Sequence, residues 1–421
     1  LYETDFYYQF RFDQGRTQWK LVYGEDVIAT LPPVPKDRVT GGYYMDIRNW
    51  WDTFTRSALG DGPTSRDLIF RNSIAYKAAA EILNKWSALE TGVTEHSRTK
   101  GIERALARAS DPERNYLSRL QRTLENRYLS YEGDILEDTF QFLLRRLECF
   151  HLKLAQAPGF RPSLPMQIDA VPDELLLTAA ARTRAAEVVE HVSNEWRGYR
   201  GAFLVPSVSF FNLDDFMLLI DVDPAKLPSL KQLRTLCRIH AERSRQLPQR
   251  VALLLLLDQG AYQLETVSLL ELWHLVICPS ANPDVFSLME CPDFVLDGEP
   301  RPDGTRLTWT SFASALVAEE IGVRSAAMSS VNTDPSMSSL ELLRNVWRHL
   351  QLEIIQRSAQ QGHVLVPMTP AAMRRAFRSW GVPGGEALRA LEEAYRSELE
   401  GVSLDVRPLL NDFMAVVSHL Q

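Results

Sequence analysis

The sequence predicts a mainly α-helical protein, an irregular helical bundle preceded by a small N-terminal antiparallel β meander. Three observations lead there. From Ser65 onward apolar residues recur at the 3.6-residue period. The first 31 residues instead carry short aromatic-rich runs separated by turn signals. No self-similarity appears at the 30 to 45 residue periods of helical solenoids, which leaves an irregular bundle.

The elements follow in order. Phe6 to Phe12 reads as a strand, Asp13-Gln14-Gly15 as a turn, Thr17 to Tyr23 as a second strand, and Val27 to Leu31, after Gly24-Glu25-Asp26, as a third. Pro32, Pro33 and Pro35 end that pattern, and Gly41-Gly42 with Tyr43, Tyr44, Trp50 and Trp51 reads as an aromatic-rich linker. Those aromatics are expected to anchor the sheet to the helices; stacking on bases is the alternative. Ser65 is placed to cap a helix to about Leu89, a second runs from Arg98 to about Ala109, and Ser110-Asp111-Pro112-Glu113 has capping-box spacing for a third reaching Leu129. Leu117, Leu120, Leu124 and Tyr128 mark its core face. A long helix from Asp134 to Gln156 closes this region, and Pro162, Pro165 and Pro172 read as a linker. Beyond it helices are expected near 173–197, 229–246, 262–277, 310–322, 339–360, 370–380, 385–399 and 406–420, with Pro370 at a favoured first-turn position. Phe203 to Phe211 and Phe216 to Val222 read as strands, and Asp297-Gly298 and Asp303-Gly304 bracket a small hairpin. The expected organisation is therefore a β meander with its aromatic linker over 1–45, a locally basic helical domain over 46–160 and a larger acidic helical domain over 161–421.

Composition places the chain among ordinary soluble globular proteins, with 45% hydrophobic and 24% charged residues in 421. The longest apolar run, Val251 to Leu257, is far short of the roughly 20 residues a membrane span needs, so no membrane partner is expected. The chain opens at Leu1, which fits a processed terminus, including a removed organellar presequence, as well as a cloning boundary. Four cysteines (Cys149, Cys237, Cys278, Cys291) do not make a disulfide scaffold, and an intracellular, reducing compartment is expected, with the mitochondrial matrix one candidate. Cys149 with His151 and Cys237 with His240 supply four atoms that zinc could use, but the spacing matches no zinc module, and core thiols beside surface histidines account for them. No cofactor or metal site is assigned.

Charge is more informative. The 46 basic residues comprise eight lysines and 38 arginines, and no lysine follows Lys231. Arginine's planar fork suits phosphate, carboxylate and aromatic faces better than lysine's hydrated point charge, although a coding bias gives the same count. Residues 1–160 are neutral and residues 161–421 carry the whole net charge of −8. An acidic chain of pI near 5.6 is not held to nucleic acid by bulk charge, so any such contact is local.

The strongest local candidate is 98–127, with Arg98, Lys100, Arg104, Arg108, Arg114, Arg119, Arg122 and Arg127 against Glu103, Asp111, Glu113 and Glu125. Lys100, Arg104 and Arg108 fall at i, i+4 and i+8, so one helical face can track a nucleic-acid backbone; a solvated face laced with ion pairs has the same pattern. A second candidate is the turn from Gly60 to Ser65. There Gly62, Thr64 and Ser65 offer amides and hydroxyls at a helix start, and Arg66 and Arg71 follow, a setting for a bound phosphate or a plain capped turn. The third is acidic: an apolar strand ending in Asp221-Val222-Asp223 puts two carboxylates on one face, where magnesium could bridge a triphosphate, but the upstream Gly-Ser turn of nucleotidyl transferases is missing and Asp223-Pro224 is also a common cap. No nucleophile elbow, zincin, dinucleotide or kinase motif is present.

The reading that fits best is a non-catalytic RNA-binding or scaffold subunit of a large ribonucleoprotein complex, of the guide-RNA-binding, RNA-processing or ribosome-associated kind, with RNA and other protein subunits as partners. A metal-dependent nucleotidyl or phosphoryl transferase using Asp221 and Asp223 is one alternative. A protein-only adaptor or effector is the other, and its appeal as a lysine-poor chain is weakened by the eight lysines of the first part.

Overall fold

The computed structural model describes residues 16, 19–34, 36–59, 65–91, 97–125, 135–154, 162–169, 179–206, 215–244, 250–258, 261–264, 294–299, 308–310, 338–367, 370–402 and 404–420. The described chain is mostly helical. In order it forms α1 (Val27–Thr30), α2 (Lys36–Leu59), α3 (Ser65–Thr91), α4 (Arg98–Leu106), α5 (Asp111–Glu125), α6 (Ile135–Leu154), β1 (Pro162–Asp169), α7 (Ala179–Glu195), β2 (Tyr199–Pro206) and β3 (Asp215–Val222). It continues through α8 (Leu230–Ser244), β4 (Arg250–Leu256), β5 (Ala261–Gln263), β6 (Val295–Asp297), β7 (Thr308–Thr310), α9 (Ser339–Gln360), β8 (Val364–Pro367), α10 (Pro370–Trp380), α11 (Gly385–Leu399) and α12 (Arg407–Leu420).

The sheet is not where the sequence suggested. The strand expected from Thr17 to Tyr23 is absent over the described residues 19–23, and Val27–Thr30 is a helical turn whose Asp26 side chain accepts the Ala29 amide at 3.1 Å. A carboxylate able to satisfy free amides at once favours the local turn over an extended strand. Phe6 to Phe12 lies outside the described residues. The Gly41-Gly42 linker is likewise helical, inside α2, because the apolar stripe Tyr43, Ile47, Trp51, Phe54 and Ala58 continues through it at helical spacing and is buried.

The main sheet is mixed and five-stranded, ordered β5-β4-β3-β2-β6. β2 and β3 pair antiparallel, β3 and β4 parallel through the α8 crossover, and β4 and β5 form a tight antiparallel hairpin, Leu256 facing Ala261. Phe216 to Val222 and Leu253 to Leu257 are buried without alternation. Strands covered on both faces need apolar residues throughout, which is why Val251 to Leu257 reads as an unbroken run. The expected helix 262–277 is replaced at its start by β5, since Tyr262 is buried opposite Leu255; residues 265–277 lie outside the described residues. Thr308–Thr310 is also strand where the 310–322 helix was expected to begin, and 311–322 is likewise not described.

A second sheet, β7-β1-β8, occupies the supposed proline linker. β1 is antiparallel to β7 over Pro162 to Pro165 and parallel to β8 over Met166 to Asp169. Each half of β1 thus pairs on one side only, so Pro162 and Pro165 leave no ladder bond unmade toward β8. β6 joins β2 and β7 joins β1; the hairpin expected between Asp297-Gly298 and Asp303-Gly304 falls largely outside the described residues.

Two apolar clusters hold the elements. The larger joins α2 to α6 with α7, α8, strands β2 to β5, and Leu352 and Ile355 of α9. At its centre Trp51, fully buried, meets Phe54, Phe140 and Tyr262 at centroid distances of 6.1, 6.0 and 5.9 Å, tying α2 to α6 and to β5. Polar ties run alongside: Arg234 donates to the Ala58 carbonyl (2.7 Å), Glu137 accepts the Leu230 amide (2.7 Å), and the Tyr262 hydroxyl donates to Glu148 (2.5 Å). The smaller cluster packs α9 with α10, α11 and α12 around Trp347, Phe377, Tyr395 and Phe413. A capping box, Ser338 with Glu341, starts α9.

Trp51→Ala is expected to cost about 3–5 kcal/mol by opening a void among three rings, read as a lowered urea midpoint. Gly101 sits where α4 presses on α3, and a Cβ there would lie 1.6 Å from Asn84 Oδ1. Gly101→Ala is expected to cost about 1–3 kcal/mol from overpacking, and Asn84→Ala in the same chain should recover part of that loss.

Candidate functional site

The basic segment 98–122 lies on α4 and α5, whose core faces are fixed by Ile102, Tyr116, Leu117 and Leu120. Ser97 caps α4, accepting the Lys100 amide at 3.4 Å, and Glu113 accepts the amide and hydroxyl of Ser110 at the start of α5 at 3.1 and 2.8 Å. The helix stops at Leu106, so Arg108 stands in the following turn and the i, i+4, i+8 stripe is broken after Arg104.

Among the described ion pairs, four involve these cations. Arg98 binds Glu81 (2.8 Å), Arg108 binds Glu90 (3.1 Å), Arg114 lies 4.0 Å from Asp111, and Arg119 pairs with Asp138. The pairs of Arg98, Arg108 and Arg119 tie α4, its following turn and α5 to α3 and α6. Arg108 and Arg114 still expose 60% and 57% of their side chains. Lys100 and Arg122 are exposed, and Arg104 is half-buried. Beneath Arg98 lies a buried charge network, in which Lys85 sits 3.0 Å from Asp46 and 2.7 Å from Glu81. Burial by itself would raise the Glu81 carboxyl, but the adjacent Lys85 and Arg98 outweigh it and hold it below its usual value.

In the phosphate-turn candidate, Gly62 and Thr64 lie outside the described residues. Ser65 and Arg66 open α3, and Arg71 is half-buried farther along it.

Asp221 lies in β3 and Asp223 just beyond it. Asp221 is buried at the end of β3, opposite Gly201 of β2. Asp223 is past the strand: it caps the 3-10 turn Pro224–Lys226, accepting the Ala225 amide at 3.0 Å, and receives Arg200 at 3.2 Å. Arg200 also reaches Asp258, just beyond β4, at 2.8 Å, and the neighbouring Tyr199 hydroxyl donates to Asp297 at 2.7 Å. Burial first, then the Asp297 carboxylate, push the Tyr199 phenol well up, so it stays a neutral donor. This end of the sheet is where the parallel strands β3 and β4 finish, the usual ligand side of open α/β sheets. Its carboxylates, however, are bridged by Arg200. No group of three metal-ligating side chains occurs among the described residues.

Of the two Cys/His pairs, the His151 side chain lies outside the described residues. His240 is buried with Nε2 2.8 Å from the Val251 carbonyl, and burial lowers its pKa; Cys237 is half-buried and Cys149 exposed.

One feature escaped the sequence reading. Between Glu353 and Glu386 there is no acidic residue, while Arg357, His363, Arg374, Arg375 and Arg378 are all present, within the part of the chain that is otherwise net negative. A window of local charge rather than a count over 161–421 finds it.

No protein-family model matches the chain, and comparison with curated proteins and with solved structures finds no match either. The reading of function therefore rests on geometry.

The depressed Glu81 carboxyl makes a pH prediction. Its pairing stabilises the fold above the ordinary value of 4.5, and that contribution fades as pH falls from there through the lower folded value. Urea titrations from neutral pH down to acid are expected to show the Glu81→Gln chain less stable at neutral pH, with its deficit against wild type shrinking on acidification. A deficit that stays constant would remove Glu81 from the pH response.

Proposed function

We propose that this chain is a non-catalytic scaffold subunit of an RNA–protein assembly, contacting RNA backbone with the α4–α5 hairpin. The observation that carries the reading is the exposure of that hairpin's cations. Lys100 and Arg122 face solvent, and Arg108 and Arg114 remain more than half exposed beside surface carboxylates. An exposed ion pair is worth little, so a phosphate can replace the carboxylate at small cost. The helices presenting them are pinned by buried Tyr116, Leu117 and Leu120, which gives RNA a rigid surface. Other subunits would dock elsewhere, and exposed Leu21, Val22, Tyr23 and Val27 are apolar side chains that a protein partner could cover. No described helix is long and apolar enough to cross a membrane. We place the protein in a reducing compartment, the mitochondrial matrix being one that suits a ribonucleoprotein subunit.

The transferase alternative draws less support, because Asp223 serves as a cap and as a partner of Arg200. A protein-only adaptor is the reading to adopt if RNA is not bound.

The test is anisotropy of a labelled single-stranded RNA titrated with the protein at several salt concentrations, with and without magnesium. Binding that weakens steeply with salt is expected. Arg108→Glu with Arg122→Glu should lower affinity at least several-fold for every RNA sequence tried, with an unchanged circular dichroism spectrum. Absence of binding at about 50 mM salt, where backbone contacts are strong, would overturn the proposal.

A further inference from the structure

We propose that residues 19–23 pair with the same segment of a second copy of this chain, as a two-fold antiparallel β ribbon. The exposed apolar surface is concentrated there. Among the described residues eight large apolar side chains are exposed, and five of them, Trp19, Leu21, Val22, Tyr23 and Val27, fall within nine positions. Val22 and Tyr23 are 95% and 96% exposed, Trp19 and Leu21 57% and 58%. Scattered apolar side chains are ordinary on a surface, whereas a contiguous set marks a contact. The segment is held in place. Arg16 donates to the carbonyls of Leu31 and Pro32, the latter at 2.6 Å, and so closes residues 16–32 into a loop. Gly24, at φ +91°, turns the chain after Tyr23, and Asp26 then caps α1.

Between clamp and turn the described residues are Trp19-Lys20-Leu21-Val22-Tyr23, a composition that favours a strand, yet neither sheet of the described chain includes them. An apolar strand outside any ladder is a template for a strand from another chain. A second copy fits because an isologous contact requires a patch complementary to itself, and the order of residues about Leu21 meets that condition. Antiparallel pairing with Leu21 opposite Leu21 sets Trp19 of each copy against Tyr23 of the other, a favourable cross-strand aromatic pair made twice. Trp19, Leu21 and Tyr23 then share one face of the ribbon, two residues apart. Lys20 falls opposite Val22, so no like charges meet. The five exposed side chains present roughly 700 Å² per copy, near the ~800 Å² that each side of a standard interface contributes. In this arrangement the strand that sequence predicts from Thr17 to Tyr23 forms on association, when it gains its neighbour.

Sedimentation velocity of the intact chain, without RNA, tests this between about 1 and 100 µM, a range that includes the dissociation of weak interfaces of this area. Wild type is expected to move from monomer towards twice the 47.9 kDa chain mass. Leu21→Glu and Leu21→Arg each set two like charges against one another at the two-fold axis, and each should weaken the dimer at least about tenfold. An equimolar mixture of the two variants should dimerise again. Circular dichroism and urea midpoints check that both variants fold. Tyr23→Ser, at a side chain almost wholly exposed in the single chain, replaces them if either does not, and should weaken the dimer several-fold. Wild type that stays monomeric at the top of that range overturns the proposal. So does a dimer that Leu21→Glu leaves intact, which would put the contact on another surface. Variants that are monomeric singly and stay so in the mixture overturn the pairing of Leu21 with Leu21. RNA binding is measured separately, so each of these outcomes leaves the ribonucleoprotein reading where it stood.

Discussion

Trp51 is the side chain on which the rest of the molecule is organised. Its ring is fully buried and touches Phe54 on its own helix, Phe140 on α6 and Tyr262 on β5, so one contact set links a bundle that is local in sequence to a sheet whose strands begin 150 residues later. Large aromatic rings bring both buried area and preferred geometry to such a junction. The polar ties around it all concern backbone ends or single donors: Arg234 on the last turn of α2, Glu137 on the first turn of α8, Tyr262 on Glu148. Those groups satisfy atoms that packing would otherwise leave dry, and they set how α6 and α8 meet.

Arginine in this protein does two different jobs. On α4 and α5 it fastens helices to α3 and α6 through surface carboxylates, and at the sheet end Arg200 bridges the ends of β3 and β4 through Asp223 and Asp258. The planar fork suits both tasks, since it can bind two acceptors in one geometry. Sequence alone sees the cations and not their partners. Glu81 and Glu90 lie on α3, outside the 98–127 window, and so the apparent surplus of positive charge there is smaller on the folded surface than along the chain.

Helices were legible wherever an apolar stripe, a cap and a terminator agreed. α3, α9, α10 and α11 fall within two residues of the expected bounds, and the packing of Leu117 and Leu120 is as their spacing implied. Strands were legible only in part. β2 and β3 showed as apolar runs, but β4 ends in four buried leucines in succession, a pattern that serves a buried strand or a buried helix equally well. β1 was hidden by its prolines, which stop being an obstacle only because β7 and β8 pair with different halves of it. That arrangement depends on residues nearly 150 and 200 positions away, beyond any local window. At the candidate sites, Asp223-Pro224 could be read as a cap or as half of a metal pair; the fold shows Asp223 as a cap that also receives Arg200, a partner far away in sequence.

The pairing of β1 with β8 has a consequence for how the chain comes into being. On the ribosome, Met166 to Asp169 emerges nearly 200 residues before Val364 to Pro367, so this half of the strand lacks its parallel neighbour over that interval. α9 adds to the delay, because it lends Leu352 and Ile355 to one core and Leu343, Val346 and Trp347 to the other. The larger core lacks Ile355, and the smaller Val416, until those residues have emerged. Long-range pairing of this kind leaves strand edges open for longer than a hairpin does, the condition under which nascent chains are exposed to aggregation.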